Sequence, residues 1–329
     1  MPVKVAIIGS GLWAREHAKV FQSLQNVEIS AIFSRRNKDE IKHFAQTYGA
    51  KPYASISQMI AEQDIDITVI ASSTKHHYTD AKEAILAGSS VLIEKPIDVD
   101  TTKLYELCQI SRDSGLSVGV VLPYRFDSAI NDLKAMFQDG TLGEILLVNL
   151  QIFYKRSADE LEKILRGVLA PTESSLFQHF AIHYYDAICF ALSLADIKFV
   201  SETVTNRFLY KYDETSVKVF SAKSKTVLTS VYSNSLGQGR LNKIEVVGTN
   251  SYAEIAQNRL TISSHEQPTT YSDCSTHSNL KKLWKDTIQN YKSLSESRIS
   301  LENLLSTNHL FPSSVDSDVS TNPESLRFL

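Results

Sequence analysis

Residues 3–14 read "VKVAIIGSGLWA". A short apolar run, "VKVAII" (3–8), closes on a glycine, and a helical pattern follows through about Phe21. Gly9, Ser10, Gly11, Leu12, Trp13 and Ala14 therefore spell G-x-G-x-x-A between a strand and a helix. The first glycine permits a tight turn and the second lets backbone approach a pyrophosphate. Ala14 allows the helix to pack closely on the strand. The unpaired N–H groups of the helix N-terminus then face the phosphates. This context predicts a dinucleotide site at the head of the chain.

Outward from that turn, strand and helix patterns alternate to residue 122. Strands are expected at 27–33, 66–72, 90–96 and 117–122. Helices are expected over "NKDEIKHFAQTYG", "SISQMIAEQ", "HHYTDAKEAILAG" and 100–114, with Gly49 and Gly88 as stops. Such alternation implies a parallel sheet with right-handed crossovers. After Pro123 one helix, "SAINDLKAMFQDG", leads into β-rich runs near 144–154, 198–208, 215–222, 226–233, 242–248, 252–256 and 259–263. Segment 264–280 reads as a polar surface loop, a helix is expected over about 278–293, and the tail is rich in Ser, Asp and Pro. The fold class is α/β: a Rossmann domain over 1–122, then an α+β domain over 123–329 with an open, mostly antiparallel sheet.

Composition narrows the function classes. Of 329 residues, 43% are hydrophobic and 22% charged, enough apolar surface for two packed domains. A net charge of −3 favours neither nucleic acid nor an anionic membrane. The apolar runs are strand-sized, so no transmembrane helix is expected. The opening "MPVKVAIIGSG" lacks a small-residue cleavage site and reads as folded structure rather than a signal. Three scattered cysteines, Cys108, Cys189 and Cys274, argue for a reducing cytoplasm rather than a disulfide scaffold.

The end of the second strand bears on cofactor choice. NAD binders usually place a carboxylate there for the ribose 2′-hydroxyl. This chain reads "FSRRNK", with Ser34, Arg35 and Arg36 at the tip and Lys38 beyond. An arginine there can clamp a 2′-phosphate bidentately, with a serine hydroxyl beside it. NADP is expected as cofactor, with NAD possible. Further on, "IEKPI" (93–97) sets Glu94 and Lys95 at the carboxyl end of a strand, where open α/β sheets bind ligands. A lysine beside an oxidised nicotinamide feels a like charge, which suits it to proton transfer.

"GSGLWA", "STKHHYTDAKEAILAGSSVLIEKP" (73–96), "YRF" (124–126), "IHYYD" (182–186) and "IEVVGTNSYAEI" (244–255) occur in this order. In that combination the chain resembles the Gfo/Idh/MocA oxidoreductases, the glucose–fructose oxidoreductase and inositol dehydrogenase family, over most of its length. The resemblance implies hydride transfer between a nicotinamide cofactor and a sugar, cyclitol or related carbonyl compound. It also implies a homodimer or homotetramer built on the open sheet. Carried over by position, Gly9 through Trp13 would line the pyrophosphate and Ser34 and Arg35 the adenosine ribose. Ser72, Ser73 and His77 would edge the cofactor, and Glu94 and Lys95 would lie near the nicotinamide. Lys95 takes the family's acid/base role, and Arg125 matches an arginine common after the last Rossmann strand; Arg125, His179 and Asp186 are the candidate substrate residues.

The stretch "SLFQHFAIHYYDAICF" (175–190) lines up with the family pattern D-x-G-x-H-x-x-D. His183 matches its histidine, a second candidate for proton transfer with Lys95, and Asp186 its last aspartate, either orienting His183 or holding the helix. His179 stands where the first aspartate is usual, and Ala181 replaces the glycine. Two histidines four apart can share a zinc ion, but no H-E-x-x-H glutamate or third ligand accompanies them, so no metal is expected. Without the first aspartate a vicinal diol loses an anionic acceptor. The expected substrate therefore differs from a simple polyol: a keto-sugar, a nucleotide-linked sugar or another carbonyl compound. A rival reading is a nucleotide-binding regulator on the same scaffold that turns nothing over.

Overall fold

The computed structural model describes residues 2–35, 38–97, 101–155, 157–165, 180–205, 215–257, 259–263, 268–271, 276–291 and 297–307. Apolar runs that are buried on both faces make the first sheet. Its strands are β1 (Val3–Ile8), β2 (Val27–Phe33), β3 (Lys51–Tyr53), β4 (Ile67–Ile70), β5 (Ser90–Ile93) and β6 (Val118–Val120), in the order β3-β2-β1-β4-β5-β6. All pairs are parallel. Helices α1 (Leu12–Gln22), α2 (Lys38–Tyr48), α3 (Ile56–Gln63), α4 (Thr74–Leu86) and α5 (Thr101–Ser114) connect them. The strand order reverses between β1 and β4, which opens a crevice at their carboxyl ends. The Rossmann expectation holds. The sequence reading omitted β3: three residues, one of them proline, at a sheet edge carry no alternation to detect.

A one-turn 3₁₀ helix (Pro123–Phe126) and α6 (Ser128–Gln138) lead to the second sheet. That sheet contains β7 (Ile145–Lys155), β8 (Lys198–Thr205), β9 (Thr215–Ser221), β10 (Val227–Ser233), β11 (Ser235–Gly248), β12 (Tyr252–Ala256), β13 (Arg259–Ser263) and β14 (Pro268–Tyr271). The order is β14-β13-β12-β11-β7-β10-β9-β8, and only β7 and β10 run parallel. Along β7 every second residue from Val148 to Tyr154 is buried, so one sheet face packs and the other stays open. Helices α7 (Ala158–Leu165) and α8 (Ile182–Ala191) follow β7. The packed face joins α6 and α8 in one core, with Leu133, Ile188, Leu150 and Tyr232 at its centre.

Two readings of the C-terminal third need correction. The segment 264–280 is not all loop: β14 occupies Pro268–Tyr271, and helix α9 (Thr276–Asn290) begins inside the stretch. β14 opens on proline at the sheet edge, so it too lacks a strand signature. β11 also begins at Ser235, ahead of the expected 242.

A division at residue 122 follows the two sheets but not the two cores. Leu280, Leu283 and Trp284 of α9 pack into the N-terminal core, as do Ile299, Leu301 and Leu304 around α10 (Leu301–Thr307). The main chain of Val120 donates to Ile299, so the returning segment extends the β6 edge. Among the described residues no helix is long and apolar enough to cross a membrane.

Candidate active site

The turn after β1 is built for close backbone approach. Gly9 has φ 123°, and a Cβ there would lie 2.3 Å from the carbonyl oxygen of Ala71, which follows β4. Only glycine lets β1 and β4 close at this point. Gly11 is the N-cap of α1 and supplies no side-chain cap, so the first N–H groups of that helix remain for a ligand. Ser73, the N-cap of α4, likewise makes no side-chain cap bond. Leu12 and Trp13 are exposed on the first turn of α1. These features fit a dinucleotide pyrophosphate. Ser10 is buried, and its hydroxyl pairs with that of Ser34 at 3.1 Å, joining the β1 and β2 turns.

Arg35 extends from the end of β2 toward α4. Its Nη1 and Nη2 donate to Asp80 at 3.0 and 2.6 Å, and its guanidinium lies 5.1 Å from the ring centroid of Phe33. Asp80 is fully buried and also accepts from the Ser72 hydroxyl at 2.7 Å. Arg35, expected at the ribose, and Ser72, expected along the cofactor edge, are thus joined through Asp80, which sequence reading did not single out. Arg36 and His179 lie outside the described residues.

The β5 end carries Glu94 and Lys95, followed by a cis bond to Pro96. Glu94 is buried, and its Oε1 sits 2.9 Å from Nε2 of His17 on α1. The indole Nε1 of Trp284 donates to His17 Nδ1 at 2.8 Å. Because an indole nitrogen only donates, His17 Nδ1 must accept, so Nε2 carries the proton and gives it to Glu94. The result is a directed chain, Trp284 to His17 to Glu94, running from α9 to the residue beside Lys95. No sequence pattern signals it, since Glu94 and Trp284 are far apart in the chain.

Lys95 is half-buried, and burial pushes its ammonium below the ordinary lysine value against the raising pull of Glu94. His77 is buried with Nδ1 2.9 Å from the Pro96 carbonyl and Nε2 3.0 Å from the Ser72 carbonyl. It therefore staples the β4 loop to the β5 loop rather than presenting its ring outward. Burial lowers its pKa and outweighs the two carbonyl contacts.

His183 reaches the same edge from the other core. Its ring stacks on Tyr124 at 5.3 Å between centroids, and Tyr124 belongs to the 3₁₀ turn after β6, the neighbour of β5. Tyr124 and Tyr184 share a 3.3 Å hydroxyl contact, and Asn242 of β11 donates to the Tyr184 hydroxyl at 2.6 Å. This string of hydroxyl and amide groups was also absent from the sequence reading. Arg125 and Asp186 are bonded to each other: Nε to Oδ2 at 2.8 Å and Nη2 to Oδ1 at 2.5 Å, both side chains buried. Arg125 Nη1 also donates to the carbonyl of Arg298. This geometry holds α8 to the β6 turn and to the returning chain.

Residues 3–122 match the family model described as "Oxidoreductase family, NAD-binding Rossmann fold", GFO_IDH_MocA. The sequence is 26% identical over 246 residues to glucose-6-phosphate 3-dehydrogenase of Bacillus subtilis (strain 168). That alignment covers 74% of this chain and 66% of the relative, so the chain spans just under two thirds of that protein. It is 26% identical over 271 residues to inositol 2-dehydrogenase of Rhizobium meliloti (strain 1021), covering 80% and 78% of the two chains. Over residues 3–122 the chain matches the Gfo/Idh/MocA oxidoreductase family, and over most of its length it is similar to named dehydrogenases. Its fold matches that of the WlbA dehydrogenase from Bordetella pertussis in complex with NADH and UDP-GlcNAcA, with TM-score 0.78 at 17% identity, covering 93% and 92% of the chains. Gly9 and Gly11 at the first turn and Glu94 and Lys95 at the fifth strand thus lie within the part matched by the family model.

Proposed function

We propose that this protein is a Gfo/Idh/MocA-type, NADP(H)-dependent oxidoreductase that moves hydride to or from the carbonyl or alcohol carbon of a sugar-like compound. Keto-sugars, nucleotide-linked sugars and cyclitols are the candidate classes. Relatives of this chain are named as dehydrogenases of a sugar phosphate and of inositol, which supports that class. The carrying observation is Lys95: a lysine at the carboxyl edge of β5, its ammonium destabilised by burial, beside a turn that fits a pyrophosphate. A nicotinamide bound there supplies hydride transfer. In the reducing direction Lys95 donates the proton that the carbonyl oxygen gains; in the oxidising direction it accepts it from the alcohol. His183, held by its stack on Tyr124, is the second proton-transfer group. The Tyr124, Tyr184 and Asn242 string supplies hydroxyl and amide groups to orient the substrate's polar edge.

Arg35 at the end of β2, with no carboxylate in its place, supports NADP over NAD. The open face of the second sheet carries exposed Val217, Val227 and Leu241 and supports assembly into a homodimer or homotetramer. The test is a panel of keto-sugars, nucleotide sugars and cyclitols with NADPH or NADP, followed by absorbance of the reduced nicotinamide. Turnover of one class is expected. Dinucleotide binding with no turnover across the panel supports the regulator reading instead.

A further inference from the structure

We propose that Asp80 sets how strongly this chain discriminates between the two nicotinamide dinucleotides, by neutralising the arginine at the adenosine end. The proposal rests on the reading that the dinucleotide's ribose lies at the end of β2. Asp80 sits on α4, was given no role by the sequence, and is wholly buried. An ionised carboxylate in that position needs strong donors, and it has three: both terminal nitrogens of Arg35 and the Ser72 hydroxyl. The carboxylate therefore fixes the guanidinium as a bidentate partner.

Two consequences oppose each other. Orientation favours a 2′-phosphate, because Arg35 is held over Phe33 with 41% of its side chain still exposed, and three of its five N–H donors lie outside the Asp80 pair. Charge disfavours it, because the cation that would attract a dianion is already cancelled by a carboxylate in direct contact. A ribose 2′-hydroxyl is neutral and gains or loses little from that cancellation. The pair therefore gives an arginine that can accept NADPH without excluding NADH.

Affinities measured by quenching of Trp fluorescence test this on the full chain. Wild type is expected to bind both dinucleotides, with NADPH favoured by less than about tenfold. Asp80→Asn keeps the volume and one acceptor for Arg35 while removing the charge. It should tighten NADPH by about fivefold or more and change NADH by less than about twofold, since one unit charge near a dianion in a half-exposed site acts at this scale. In the double variant Arg35→Gln/Asp80→Asn the NADPH gain should vanish. The proposal is overturned if Asp80→Asn weakens NADPH, if it moves both dinucleotides equally, or if the gain survives in the double variant. Should Asp80→Asn fail to fold, wild type alone decides: a preference for NADPH above about tenfold overturns it. Absence of binding by either dinucleotide sinks the underlying cofactor reading as well; binding with the wrong ratio sinks only this proposal.

Discussion

Two arginine–aspartate pairs of similar geometry stand at opposite ends of the ligand edge. Arg125–Asp186 is sealed, with side chains 5% and 1% exposed, and Arg35–Asp80 is half open, with its arginine 41% exposed and its aspartate fully buried. The first lies where the β6 turn, α8 and the returning C-terminal chain meet, and its third nitrogen, Nη1, donates to the Arg298 carbonyl. The second lies at the tip of β2, where the fold family receives a dinucleotide. The same bidentate bond serves cohesion in one place and is proposed to serve recognition in the other. What separates them is access: a sealed pair can only hold, whereas an open one keeps donors for a ligand.

If that contrast is right, the chemistry belongs to the open edge. Lys95→Ala should then lower turnover by ~10²–10⁴-fold while leaving dinucleotide affinity within a few-fold of wild type. Single-turnover kinetics beside a binding titration checks this, and full activity in the variant would remove Lys95 from the reaction. Asp186→Ala tests the sealed pair. It strands the Arg125 guanidinium and should cost about 3–5 kcal/mol, read by urea denaturation. Trp284→Phe keeps the ring against Phe21 but leaves His17 Nδ1 without its donor. A loss of about 1–3 kcal/mol is expected, together with reduced turnover if the chain through Glu94 helps to position Lys95.

Arg35→Ala sharpens the comparison directly. Removing a half-exposed side chain opens Asp80 to water, so a loss of only about 1 kcal/mol is expected. A cost equal to that of Asp186→Ala would mean the two pairs do the same job. The smallest effect concerns pH. His77 has its folded pKa below the unfolded value of 6.5, so the unfolded chain binds the extra proton first. Stability should be full above that value and fall as pH drops through the window down to the folded pKa, by up to about 1.4 kcal/mol per pH unit. His76 is shifted the same way. His77→Gln should flatten the slope of the melting temperature against pH between 6.5 and the acid limb.

Legibility in the sequence followed the range of the interaction. Gly9, Gly11, Glu94 and Lys95 are readable because each answers a local demand: a turn, a helix start or a strand end. The second sheet's long strands were readable from alternation, while β3 and β14 were not, being short edge strands that include proline. Asp80, His17, Trp284 and Asn242 carried no local signal. Each is an ordinary helix or strand residue until the fold sets it against a partner on another element, 45 residues away for Asp80 and 267 for Trp284. His77 bridges two loops, a contact its sequence neighbourhood cannot show because it does not say which way a buried ring turns.

The sequence alone determined the parallel Rossmann sheet, the glycine turn after its first strand, the lysine at the fifth strand and the change to a mostly antiparallel sheet after Pro123. Periodicity, glycine placement and strand-end chemistry act over a few residues and so are written in order along the chain. Tertiary structure alone decided that the C-terminal helices return to the first core. It also decided which charged side chains are spent on one another and which keep donors for a ligand. Pairing and exposure depend on what lies across the packed interior, and one-dimensional order does not record that neighbour.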